Sequence, residues 1–426
     1  MALPTNPTTF AEPLLPQGVA RGTDTPPPAH RQILERILNP IRTHLYRPAL
    51  RLLKRTLGGV IFLREPISIA QDRTCITSYT ELYPAQVIDC GNPTRDSFLR
   101  SCKYIGDGKI PRPAIFVAEL SKAKFYPRLG LVFDSRWRPI LESILDLGRF
   151  YNFRQQLRPR KVAKRSGTIS SVHHIFQENA WHWLVDSLAQ IHSLELYMAG
   201  KPLTLLMPDL LSARRRQHLE LLLPPNFQVE YVPSDTWIEC DHFILPSYVS
   251  SRANGWLPPA YFEFLRTRTF AGLAVEPPAT ATGRYYISRS RSKHRKVLNE
   301  SEIMAILAPL GFECIWMEDL SFRDEVALLR TAEAIISPHG AGLACMLYGD
   351  NLKVGVLYPE AEPAGYFYTM ARGLGHRHFN TNAKLREDDD FQVDLTQLQR
   401  ILDEMALQPI TPTQELLQTP EEHLTP

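Results

Sequence analysis

The chain has 426 residues, more than one ordinary hydrophobic core fills, so two domains are expected. Its 44% hydrophobic and 22% charged residues are globular values. A net charge of only +3 gives no electrostatic case for nucleic acid as a partner.

Residues 1–30 are rich in Pro, Thr and Ala and read as a disordered tail, because so few large apolar side chains cannot offset the ordering entropy. They lack the basic start and apolar core of a secretory signal, and no apolar run is long enough to span a bilayer. Six scattered cysteines without a CxxC pair read as buried, reduced thiols of a cytoplasmic protein. Residues 31–58 set seven basic side chains against the single acid Glu35. Their apolar stripe (Ile33, Leu34, Ile37, Leu38, Ile41, Leu45) is broken by Pro40 and Pro48. A basic amphipathic segment of this kind most often packs on its own protein; the minority reading is peripheral contact with the inner face of a membrane.

Residues 60–274 alternate short apolar runs with helical patterns. The runs include Ile115–Val117, Leu131–Phe133, Leu203–Met207, Val229–Val232 and Phe243–Leu245, and the helical patterns lie at 140–147, 181–197 and 211–223. This alternation predicts a parallel sheet covered on both faces. The Pro- and Thr-rich stretch 275–283 is the expected linker. Residues 284–406 then read as a second domain. It has strands at 285–287, 312–316, 334–336 and 354–357, and helices at 301–310, 321–330, 343–347, 366–374 and 395–405. A polar tail, 407–426, follows. The expected fold class is α/β, with two Rossmann-like doubly wound domains facing across a cleft.

Three stretches carry candidate chemistry. In "SPHGAGL" a strand ends in His339-Gly340-Ala341-Gly342 and a helix follows. Glycines at the carboxyl end of a strand let a ligand approach the backbone, and the amides beyond them favour an anion. The pattern is neither G-x-G-x-x-G nor a P-loop. The second stretch, "YYISRSRSKHRKVLNE", sets Arg289, Arg291, Lys293, Arg295 and Lys296 in the loop after the preceding strand. Strand ends of one sheet converge on one edge, so these cations can flank the same anion, unless they are a solvated charge run. The third, "QENAWHWLVDSLAQI", sets His182 and Asp186 four apart on one helix face, with Glu178 a turn earlier. A carboxylate that orients an imidazole suits general-base work; the plainer reading is a packed histidine beside Trp181 and Trp183.

In order and spacing the three stretches, over roughly Asn179 to Leu395, resemble glycosyltransferase family 61, which is related to capsular-polysaccharide biosynthesis proteins and to protein and xylan glycosyltransferases. "NAWHWL" matches its Asn-x-x-His-Trp-Leu motif, "RKVLNE" its Arg-x-x-x-Asn-Glu run, and "LSFRDEVALLRTAEAIISPHGAGLACMLY" its final signature. The resemblance implies a GT-B-like fold and a nucleotide-diphosphate sugar as donor substrate, with no cofactor and no metal. It also implies transfer with inversion to a glycan or lipid-linked glycan acceptor, in capsule or exopolysaccharide biosynthesis. Carried over by position, Arg289, Arg295, His339, Gly340, Ala341 and Gly342 would hold the donor diphosphate. Asn179 and Trp183 would line the acceptor side, and either His182 or Asp186 would be the base. Two positions depart from the family pattern. Val356 stands where a Glu is common, with Glu360 near but not aligned, and Glu325 stands where Gln is common.

Other classes fit less well. "HWLVD" is also the H-x-x-x-D of some acyltransferases, but Ser187 follows where they usually carry Gly. No G-x-S-x-G marks a serine hydrolase. The acidic run 387–390 reads as solvated surface, as do "RPRKVAKRSG" (158–167) and "ARRR" (213–216), although the two basic stretches could also favour an acidic glycan or lipid phosphate. The alternative that stays open is a non-catalytic nucleotide- or glycan-binding member of the same fold.

Overall fold

A computed structural model describes residues 64–407, apart from 93–95, 103–104, 106, 155–156, 158–161, 251–254, 360–362, 364 and 383–389. The expectations for 1–30, 31–58, Glu360, most of the acidic run and the C-terminal tail therefore lie outside the described residues.

The strands of the first half are β1 (Ser78–Tyr83), β2 (Gln86–Asp89), β3 (Lys109–Arg112), β4 (Ile115–Tyr126), β5 (Leu131–Phe133), β6 (Val162–Ser170), β7 (Leu203–Pro208), β8 (Phe227–Val232) and β9 (Trp237–Pro246). Seven of them form one sheet in the order β1-β4-β9-β6-β7-β8, with β5 beside β4, while β2 and β3 pair separately. Only β9, β6, β7 and β8 run parallel; β4 is antiparallel to β1, β5 and β9. The all-parallel sheet expected for 60–274 is thus corrected to a mixed one. Part of the reason is local: β4 reaches β5 through a short turn at 127–130, and so short a connection can only reverse the chain. The expected helix at 140–147 is a 3₁₀ turn, Leu141–Ser143, with a helix at Leu147–Phe153 capped by Asp146.

One face of this sheet carries the helices. The first starts at Ala180–His182, passes through a π-turn at Trp183–Leu188 and continues as Ala189–Met198. Ala213–Leu222 and Pro259–Leu273 pack in the same apolar cluster. The opposite face is covered by Ile67, Ile69, Ile76, Tyr79 and Ile140 rather than by helices, so this half is not doubly wound.

The second sheet is parallel throughout. Its strands β10 (Gly283–Ile287), β11 (Phe312–Ile315), β12 (Ala332–Pro338), β13 (Lys353–Tyr358) and β14 (Arg377–Asn382) lie in the order β11-β10-β12-β13-β14. Helices Glu300–Leu307 and Leu395–Met405 cover one face. Phe322–Arg330, the 3₁₀ helix Ala341–Tyr348 and Tyr366–Gly373 cover the other. This is the doubly wound arrangement. Gly311, at φ 80°, ends the first of these helical segments, and the Ser321 hydroxyl accepts from the Asp324 amide to start the second.

The two helical faces meet. Leu188, Ile191 and Leu194 of the first half belong to the same buried cluster as Val326, Leu343 and Val356 of the second. The halves therefore share one apolar core, where two domains facing across an open cleft were expected. Among the described residues no helix is long and apolar enough to cross a membrane.

Candidate active site

In the second sheet the strand order reverses between β10 and β12, and ligands of such sheets bind beyond the strand ends at that point. A cavity of about 400 Å³ lies there. Ser288, Arg289 and Ser292 after β10 line it, with Ser337 and Pro338 at the end of β12 and Gly340–Gly342 after it. Gly340 has extended backbone (φ −176°), so its conformation does not require glycine; its surroundings do. A Cβ there would stand 2.2 Å from Arg289 Nη1, because the guanidinium lies directly over the residue. Arg289 donates to the His294 carbonyl at 3.2 Å, and its Nε is buried without a hydrogen-bond partner. Burial first, then the neighbouring Arg295, hold its pKa below the ordinary guanidinium value.

Two expected phosphate ligands lie elsewhere. His339 is not in the cavity wall: it faces Tyr358 and Phe367, with ring centroids 5.3 and 5.2 Å away. Arg295 donates to His339 Nδ1 at 3.1 Å, so the two residues hold each other outside the cavity. Burial, reinforced by Arg295 and Arg289, pushes His339 down to about 3, which keeps it neutral and able to accept that bond. Arg295 itself sits at φ 59°, a left-handed conformation uncommon for a side-chain-bearing residue. Arg291 is also occupied, by both Asp319 oxygens at 2.6 and 2.8 Å and by the Trp316 ring. The helix expected after the glycine turn is a 3₁₀ helix.

The first half closes the cavity with residues that the sequence reading left on the surface. Arg214 is ion-paired with Glu325 and donates to the Leu320 carbonyl at 3.0 Å. Arg215 donates to the Glu178 carbonyl at 3.0 Å, with its guanidinium 5.7 Å from the Trp183 ring centroid. All four charged groups line the cavity, together with the buried His218, which meets the Tyr348 hydroxyl at 3.3 Å. Burial, then Arg215 and Arg214, hold His218 well below its ordinary value. Burial raises the Glu325 carboxyl against the pull of Arg214 and Arg215. "ARRR" gave one usable signal, a position in a helix of the first domain, but no sign of which face is covered.

His182 and Asp186 are brought together. His182 Nδ1 lies 2.7 Å from Asp186 Oδ2; the carboxylate side chain is 7% exposed and the imidazole 30%. The ring stacks on Phe176 at 5.0 Å. His174 supports it from below. The Phe176 amide donates to His174 Nδ1 at 3.0 Å, so Nε2 carries the proton given to the His182 carbonyl at 3.2 Å. Burial pushes His174 down to about 4, in keeping with that neutral form. The dyad does not line the cavity. It sits on the same helix whose cap Asn179, first residue Ala180 and Leu184 do. Asn179 is the N-cap, its Oδ1 accepting from the Trp181 and His182 amides. Trp183 is fully buried and packs in the core beside Arg215. Val356 is likewise buried, in β13.

Residues 180–354 match the family model for glycosyltransferase 61. This stretch is similar to glycosyltransferase family 61. The matched stretch holds the dyad, Arg215, the Arg289 loop and the glycine turn, and every cavity-lining residue but Glu178 and Asn179 lies inside it. A Drosophila melanogaster protein, EGF domain-specific O-linked N-acetylglucosamine transferase, is 33% identical over 129 residues. That match covers 30% of this chain and 24% of the relative, so the chain spans about a quarter of the relative's length.

Proposed function

We propose that the protein is an inverting glycosyltransferase that moves a sugar from a nucleotide-diphosphate sugar to a hydroxyl of a glycan, as in polysaccharide or capsule biosynthesis. The observation that carries this reading is the Arg289 guanidinium seated over side-chain-free Gly340 at the switch point of a parallel sheet, within a stretch similar to family 61. The departing diphosphate gains negative charge in the transition state. A fixed guanidinium and the amides of the Gly340–Gly342 turn offset that charge, so the transfer does not require a metal.

The acceptor hydroxyl attacks the anomeric carbon from the side opposite the diphosphate. The new C–O bond forms as the bond to the diphosphate breaks, and the hydroxyl proton passes to a base. Asp186 is buried and bonded to Nδ1, which leaves Nε2 of the partly exposed His182 as the base and the carboxylate as its orienter. In the GT-B-like sense the second sheet holds the donor and the first half the acceptor. The relative's name adds N-acetylglucosamine to the candidate sugars.

The test is a thermal-shift screen of the purified protein against nucleoside diphosphates and their sugars, with magnesium or with chelator. The diphosphates of one base should stabilise it by about 2.7 kcal/mol at a hundred times the dissociation constant. Chelator should leave the shift unchanged, and Arg289→Ala should abolish it. A protein that no nucleotide stabilises is not a nucleotide-sugar enzyme.

A further inference from the structure

We infer that Arg215, supplied by the first half of the chain, is the second cation of the phosphate site, opposite Arg289. A bound diphosphate would then bridge the two halves. The inference rests on reading the cavity as a nucleotide-sugar site.

It follows from how the arginines around the cavity are partnered. Arg214 is neutralised by Glu325, Arg291 by Asp319, and Arg295 is turned away toward His339. Arg289 and Arg215 remain, and both line the cavity. Each donates to a main-chain carbonyl, His294 at 3.2 Å and Glu178 at 3.0 Å, and neither is ion-paired among the described residues. The nearest carboxylate to compensate Arg215 would be that of Glu178, but it accepts from the Ser212 amide and hydroxyl at 3.3 and 3.0 Å. Glu318 acts on Arg289, and Glu178 and Glu325 on Arg215, only through space; without a direct ion pair, two half-buried guanidiniums are costly to keep in one cavity unless an anion completes them.

Arg215 is also held ready. The Trp183 ring lies beside its guanidinium and the Glu178 carbonyl takes one of its N–H groups, so little freedom is left to lose on binding. Its place near the start of Ala213–Leu222 puts a cation from the first half into the cavity that the segments following β10 and β12 also line. This also gives a use to the buried Trp183 and to the basic run 213–216.

Binding of inorganic pyrophosphate, of the preferred nucleoside diphosphate and of the bare nucleoside is measured by calorimetry on wild type, Arg289→Ala, Arg215→Ala and Arg215→Gln. Both Arg215 variants should lose roughly tenfold to hundredfold in affinity for pyrophosphate and diphosphate, as expected for a charge-assisted hydrogen bond. Nucleoside affinity should stay at the wild-type value, which a collapsed cavity could not deliver. Arg215→Gln keeps a donor for the Glu178 carbonyl and decides the matter if the alanine variant fails to fold. Wild-type diphosphate affinity in Arg215→Gln, with affinity lost in Arg289→Ala, would overturn the inference and leave the proposed function standing. Wild type that binds neither pyrophosphate nor nucleotide would overturn both.

Discussion

In the proposed reaction Gly340 and His182 divide the chemistry between them, and substitutions should separate their roles. An alanine at 340 puts its Cβ where Arg289 Nη1 lies, and the flexible guanidinium gives way before the backbone does. Gly340→Ala should therefore fold with an unchanged melting temperature and bind the donor diphosphate at least about tenfold more weakly. His182→Asn should do the reverse, binding donor as wild type while transfer falls by roughly 10²- to 10⁴-fold. Isothermal calorimetry with a steady-state transfer assay distinguishes the two; equal loss of donor binding in both would remove the division of labour. Some of this was readable from residue type and spacing. His182 and Asp186 stand four apart on a helix and do bond. The direction of His339 was not readable, because strand alternation turns neighbouring side chains to opposite faces and the strand end carries no mark of which is which.

Among the elements, the helix from Ala180 carries the His182–Asp186 pair, and its cap and first residue line the cavity. Asn179 caps it, and one side-chain oxygen serves two amides there. Asn179→Ala should cost about 1 kcal/mol in urea unfolding, and Asn179→Asp should restore most of it; an alanine variant as stable as wild type would mean that the cap is not needed. The π-turn at Trp183–Leu188 was invisible in "WLVDSL", which reads as an ordinary apolar helix, since the extra residue per turn leaves no compositional sign. Four strands of the second sheet were legible because each is a short apolar run near a helix signal such as Ser321 or Gly311; β14, "RHFNTN", was missed because it is polar. The first sheet was less so. β6 carries "VAKRSGTIS", whose first residues are half exposed, so its charges hid a strand that pairs with both β9 and β7.

Across the whole molecule, buried histidines tie stability to pH. His173, His174 and His376 are buried, and desolvation pushes them down to about 3, about 4 and about 4. In the unfolded chain they titrate near 6.5, so below that pH the unfolded state binds protons that the native state refuses. Their stabilisation is complete above pH 6.5 and is lost as pH falls toward 4, by at most about 1.4 kcal/mol per pH unit for each histidine. Urea unfolding at pH 7, 6 and 5 should show the fall. His376→Gln should show a shallower one, since it removes the group that bridges the Leu352 amide and the Met346 carbonyl. A slope identical to wild type would clear His376 of any part in it.

The core common to both sheets has a consequence for biosynthesis. The helical face of the first sheet, with Leu188, Ile191 and Leu194, is completed by Val326, Leu343 and Val356, which are made more than a hundred residues later. While the ribosome is still translating the second half, the first presents a wide oily surface with nothing to close it. The first half is therefore expected to complete its folding only once the second half has emerged from the ribosome, and to need shelter until then.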